Sequence, residues 1–168
     1  MTPAELLTDA FERIHQTATA AIDGLTDEQL STRPARDANP IGWLVWHLAR
    51  VQDDHVADVA DTEQVWTAQG FTDRFDLPFD SSATGYGMSS EEVAHVRVGA
   101  ALLAEYVTAV HEATTAYVAG LAPEDLDRVV DERWDPPVTL GVRLVSVVSD
   151  DLQHAGQAAY ARGLLASG

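Results

Sequence analysis

The chain contains no cysteine and no lysine; all ten of its basic residues are arginine. Without cysteine there can be no disulfide, no thiolate-held metal and no cysteine nucleophile. Any thiol chemistry here must therefore use a thiol carried by a small molecule. Positive charge is scarce too: 27 acidic residues against ten arginines give a formal net charge of -17. Such a surface repels phosphate backbones and anionic lipid, so neither nucleic acid nor a membrane is an expected partner. No apolar run is long enough to span a bilayer, and Met1-Thr2-Pro3-Ala4-Glu5 lacks the basic-then-apolar layout of a signal peptide, so a cytoplasmic protein is expected.

What remains is a globular composition. A hydrophobic fraction of 46% over 168 residues suits one domain spanning 1–168. Four long segments carry helical periodicity. The first runs from about Ala4 to Asp23, with Leu7, Phe11, Ile14 and Ala18 on one stripe, and Gly24 ends it. Thr26-Asp27-Glu28-Gln29 reads as a capping box opening a short turn of helix. The second long helix is expected over Ile41 to Asp61, with Trp43, Leu44, Leu48, Val51, His55 and Val59 on its buried side. The third opens at Ser89-Ser90-Glu91-Glu92 and continues to about Ala119; the fourth covers Leu140 to about Leu165. Between Glu63 and Ser90 the pattern dissolves into turn-rich, aromatic sequence, read as a loop folded over the mouth of a pocket.

The halves echo each other. Gly24-Leu25-Thr26-Asp27-Glu28-Gln29-Leu30 resembles Gly120-Leu121-Ala122-Pro123-Glu124-Asp125-Leu126, and each stretch stands between two long helices. The expected fold is an all-α four-helix bundle with long crossover loops and a two-pair pseudo-repeat.

Chemistry-bearing residues sit on the second and fourth helices. Asp150 and His154 are spaced i, i+4, which stacks them on one helix face, and His47 lies inside the apolar run Trp43–Ala49. Converging from two helices, one carboxylate and two imidazoles make a three-ligand metal site with a position left open. The bland alternatives are a buried histidine satisfied by a hydrogen bond and a polar Asp–His pair. Asp151, about 100° round the helix, is expected to point away from the ligand face.

Around this triad, His55 lies two turns beyond His47, about 12 Å along the axis, which is too far to share one ion and suits a supporting role. Arg50 and Asp54 are either an internal ion pair or pocket groups that touch substrate. Arg143 is either a fork for a substrate carboxylate or half of a structural salt bridge. His15 and His111, at the edges of apolar stripes, read as surface or packing residues and His95 as exposed; Trp43, Trp46 and Trp66 read as core anchors.

At these residues the chain resembles the DinB-like superfamily of metal-binding four-helix proteins, most closely an actinobacterial branch described as a domain of unknown function. The resemblance is carried by Asn39-Pro40-Ile41-Gly42-Trp43-Leu44-Val45-Trp46-His47-Leu48-Ala49-Arg50, Trp66-Thr67-Ala68, Thr84-Gly85-Tyr86-Gly87, Asp131 to Thr139, and Asp150-Asp151-Leu152-Gln153-His154-Ala155-Gly156-Gln157. It implies His47 and His154 as ligands of a divalent metal. Asp150 stands where many members have histidine and where the mycothiol-dependent maleylpyruvate isomerase branch has glutamate. Zinc is the expected ion, with nickel or manganese as alternatives. Characterised relatives are mostly mycothiol- or bacillithiol-dependent S-transferases and isomerases, so the resemblance implies a metal-dependent transferase or isomerase joining a small thiol to a small electrophile. The alternatives are a non-catalytic metal- or ligand-binding stress-response protein and a metal-assisted hydrolase. Homodimers, common among relatives, are also implied.

Overall fold

The computed structural model describes residues 1–165 and is an all-α bundle whose four long helices are α1 (Pro3–Ile22), α3 (Ile41–Ala60), α7 (Ala100–Ala119) and α8 (Leu140–Leu165). Shorter helices α2 (Asp27–Ser31), α4 (Val65–Ala68), α5 (Phe71–Phe75) and α6 (Ser90–His95) lie in the connections, and strands β1 (Val129–Asp131) and β2 (Val138–Thr139) pair antiparallel just before α8.

Local chemistry explains the helix ends. Thr2 accepts from the Glu5 amide while Glu5 reaches back to the Thr2 amide, a reciprocal cap, and Pro3 fits the first turn. Thr26 with Gln29 caps α2 and Ser89 with Glu92 caps α6 in the same way. Gly24 follows α1 at φ 71°, a conformation that costs glycine least.

Around the bundle, α1 packs on α7 and α8, and α3 packs on the same two. Like helices of the two halves are thus neighbours: α1 beside α7, and α3 beside α8. A pseudo-twofold relation between the halves passes through those two seams. The core runs along the axis, from Phe11, Ile14 and Ala18 through Trp46, Leu48 and Leu103 to Leu144, Val147 and Ala155. Each large apolar side chain buried there contributes about 1.5–3 kcal/mol.

Three sequence expectations change in detail. The third long helix is not continuous from Ser90: α6 stops at His95, and Val96–Gly99 runs extended into α7. Val96 and Val98 are both buried, so the segment alternates inward and outward with strand-like period. The stretch from Glu63 to Ser90 is not simply a loop over a pocket. Its first half forms α4 and α5, whose Trp66, Phe71 and Phe75 pack, tilted or edge-on, around Tyr106 in the core. Finally, Ile41 to Arg50 of α3 is buried all round, because these short helices and the following turns cover the side that a bare bundle would leave open. Val51 and His55, expected on the buried side, lie at the edge of a cavity instead.

A candidate metal centre between α3 and α8

His47, Asp150 and His154 meet at the seam of α3 and α8, with one potential ligand atom from each lying within 4.8 Å of the others. His47 Nε2 is 4.0 Å from Asp150 Oδ2, and His154 Nε2 is 3.7 Å from Asp150 Oδ1. These separations are too long for hydrogen bonds but short enough for atoms that share one ion. The imidazole rings stand at 80° with centroids 4.7 Å apart, edge to face, so both nitrogens can address one point.

Each ring is held from behind. His47 Nδ1 lies 2.6 Å from the Thr84 carbonyl oxygen, which can only accept, so Nδ1 carries the proton and Nε2 keeps its lone pair. His154 Nδ1 lies 3.1 Å from Gln157 Oε1, with the same consequence. Outer partners of this kind fix the tautomer and aim a histidine at a metal. Trp43 stacks on His47 at 4.6 Å and 15° and meets His154 edge-on. Burial holds the His47 pKa below its ordinary value, so the ring is neutral and able to ligate.

Asp150 Oδ2 is buried, with no hydrogen-bond partner among the described residues. A carboxylate oxygen left bare beside an imidazole lone pair is unfavourable on its own, and a divalent cation relieves it. The donor set of two nitrogens and a carboxylate oxygen suits zinc and tolerates nickel or manganese. The residues present therefore fit a metal.

Thr84 is presented by a turn that closes directly on the site. Gly85 adopts φ 95°, and a Cβ there would lie 2.7 Å from His47 Nδ1 and 3.1–3.2 Å from the Trp46 and Trp43 rings. Only glycine lets the backbone come this close. Thr84, Gln157 and Gly85 were quoted in the sequence motifs without a role; the three-residue spacing of Gln157 from His154 was the available signal.

The supporting residues separate into two groups. Asp54 and His55 line a cavity of about 410 Å³ beside His47 and Asp150, together with Val51, Ser146 and Tyr86. Gln64 donates to Asp54. Arg143 donates to His55 Nδ1 at 3.0 Å, so that nitrogen accepts and the neutral ring keeps its proton on Nε2. Burial, then the Arg143 charge, lowers the His55 pKa. Arg143 also bonds Asp131 at 3.3 Å, which is the salt-bridge alternative of the sequence reading, and it is not among the cavity's lining residues.

Arg50 belongs to the second group. It is fully buried and pairs with Asp53 at 3.6 Å, the internal ion pair, although its partner is Asp53 and not Asp54. Its remaining bonds go to the carbonyls of Ser81 and Ala83, to Gln64 and to the Tyr106 hydroxyl. It ties the turn that carries Thr84 to α3 and does not reach the cavity.

Asp151 does point away from the cavity beside His47 and Asp150, but into the core. It is fully buried, neither oxygen is hydrogen-bonded among the described residues, and burial followed by the Asp150 charge pushes its carboxyl well above the ordinary carboxylate range. Its position was legible: Leu144, Val147, Asp151, Ala155 and Ala158 form one helical stripe.

The geometry can be set beside known proteins. The family model for mycothiol-S-transferase matches residues 6–167. A crystal structure described as the conserved protein of locus from Enterococcus faecalis superposes with a TM-score of 0.92 at 31% identity, covering 100% of this chain and 99% of that one. A search of curated proteins finds no match. The family match spans all three residues of the triad and the turn that supports it, and the chain belongs to the mycothiol S-transferase family of the DinB-like superfamily.

Proposed function

We propose that the protein is a divalent-metal-dependent transferase that joins a low-molecular-weight thiol, mycothiol or a close analogue, to a small electrophile. The observation that carries this reading is the bare, buried Asp150 Oδ2, on a carboxylate that faces two imidazoles whose protons are held on the far side. A divalent ion held by His47, Asp150 and His154 supplies the positive charge that favours a thiolate over a thiol at neutral pH.

The chain's own residues set the rest. With no cysteine, the protein cannot compete with the co-substrate for the ion or for the electrophile. The cavity beside the triad has room for a small molecule and opens between α3, α8 and the Thr84–Tyr86 turn. Trp43 and Trp46 back the metal ligands and keep that side dry. His55, with its proton on Nε2 and Nδ1 engaged by Arg143, offers a hydrogen-bond donor to a ligand and not a base. Asp54 supplies an acceptor on the same wall, suited to the hydroxyl groups of a polyol thiol.

The test is to load the protein with zinc, nickel or manganese and incubate it with mycothiol and an alkylating bimane or haloaromatic. Metal-dependent conjugation above the thiol-only background supports the transferase. Metal retention with no conjugation across a broad electrophile panel would identify a binding protein instead. Turnover of an ester or amide panel without thiol would identify a hydrolase.

A further inference from the structure

On the opposite seam of the bundle, Glu12 and His15 of α1 face His111 of α7, again with one potential ligand atom from each within 4.8 Å of the others. We propose that these three residues form a second divalent-cation site that clamps α1 to α7, separate from the centre between α3 and α8.

His15 and His111 are 96 positions apart, the offset that separates Gly24 from Gly120, so they are equivalent residues of the two halves. The same offset relates Glu12 to Thr108. The contacts obey that relation. His15 Nε2 meets Thr108 Oγ1 at 3.1 Å, and His111 Nε2 meets Glu12 Oε2 at 3.0 Å. The pseudo-twofold axis therefore runs between the two stacked rings, whose centroids are 4.4 Å apart at 14°. Where one half carries threonine the other carries glutamate, and that difference turns a symmetric polar pair into a two-imidazole, one-carboxylate donor set.

That set matches the one between α3 and α8: a carboxylate and a histidine on one helix, a single histidine on its neighbour. Glu12 and His15 at i, i+3 share a face, a spacing that metal-binding bundles use. His111 Nδ1 is buried with no hydrogen-bond partner among the described residues, so the ring's hydrogen bonding is incomplete in the stacked arrangement.

Ring lone pairs lie in the ring plane, so two stacked imidazoles cannot both point at one ion. Binding turns one ring out of the stack. His15 is the one with room to move, being half-buried and held at its rim by the Thr108 hydroxyl. Glu12 is about half exposed, which leaves the ion a route in from solvent.

Zinc alone is the probe. Chelator-stripped wild-type protein and the Glu12→Gln/His15→Gln variant are titrated calorimetrically, with circular dichroism confirming the fold of each. Wild type should take up one more equivalent of zinc than the variant, and zinc should raise the wild-type melting temperature further. The His154→Gln variant, weakened at the other seam, should retain the equivalent that Glu12→Gln/His15→Gln loses. If the α3/α8 site takes no zinc, the wild type binds one equivalent and the α1 variant none, which still supports this proposal. Equal stoichiometry in wild type and the α1 variant overturns it and leaves His15 and His111 a packing pair.

Discussion

His47 Nε2 stands 4.0 Å from Asp150 Oδ2, with the His47 proton committed to Thr84 on the other side of the ring. Neither atom has a hydrogen to offer the other, so the contact makes sense as two ligands of one cation. Asp150→Asn keeps the shape and removes the charge. Outer-shell losses already cost about 10–100-fold in metal affinity, and removal of a ligand should cost at least the upper end of that range. Asp151→Asn changes a carboxyl that faces the core and should leave metal content unchanged. Metal analysis of both purified variants decides; equal, full occupancy would show that Asp150 is not a ligand.

Gly85→Ala tests the turn behind His47. The added methyl meets His47 Nδ1 at 2.7 Å, and φ 95° is strained for any L-residue. Strain of this kind costs about 1–3 kcal/mol. The clash also pushes the Thr84 carbonyl off His47, so metal affinity should fall together with stability. A Gly87→Ala control shares the positive φ but has nothing within 4 Å, and it should cost stability alone. Thermal melts with and without zinc separate the two effects.

The helices and the pairing of Asp150 with His154 were legible because both depend on short-range spacing: Asp150 and His154 declare a shared face, and Thr2, Thr26 and Ser89 announce their caps. The second half of each motif was harder to read. Arg50 and Asp54, one turn apart on α3, could be read as an ion pair or as pocket groups, yet Asp53, the turn 33 residues further on and the hydroxyl of Tyr106 decide where Arg50 goes. Contacts across that many residues leave no periodic signal. The break at Val96–Gly99 was missed for a different reason: four residues of strand-like alternation between two helical stretches are too few to interrupt a helical reading.

Asp131 should make the protein acid-sensitive. Hydrogen bonds from the Arg133 side chain and amide, aided by the Arg133 and Arg143 charges, hold its carboxyl well below the ordinary value of 3.8. A carboxylate whose folded pKa is depressed binds fewer protons folded than unfolded between the two values. Its contribution is therefore fully present above 3.8 and is lost as the pH falls towards the folded value. Asp131→Asn should flatten the wild-type loss of melting temperature below about pH 4. An unchanged slope in the variant would remove Asp131 from the acid response.

The outer face of α8 suits a second copy of the chain. Val142, Val145, Leu152 and Tyr160 are exposed along it, with Ser149 and Gly156 between them. None carries charge, on a chain of net charge -17 whose copies otherwise repel. The alternation of bulky and small residues lets two helices approach closely. A homodimer through this face is expected by light scattering, and Val145→Glu or Leu152→Glu should give monomers with unchanged helix content. A monomeric wild type, or dimers that survive both substitutions, would exclude this face.

Arg50→Ala separates a structural from a substrate-binding Arg50. In the structure, Arg50 neutralises buried Asp53, whose oxygens also take the Val65 and Trp66 amides and the Tyr106 hydroxyl at 2.8–2.9 Å. Removing the guanidinium leaves that carboxylate without its counter-charge and frees the Ser81 and Ala83 carbonyls. Breaking a buried pair from one side costs about 3–5 kcal/mol. For a chain of this size, that corresponds to a fall in melting temperature on the order of 10 °C. Tyr106→Phe, which removes one hydroxyl from the same cluster, should cost about 1–3 kcal/mol. Arg50→Ala should also loosen metal binding, because the freed turn carries Thr84. A variant that melts like the wild type but shows only a raised KM would place Arg50 in contact with substrate and overturn the structural assignment.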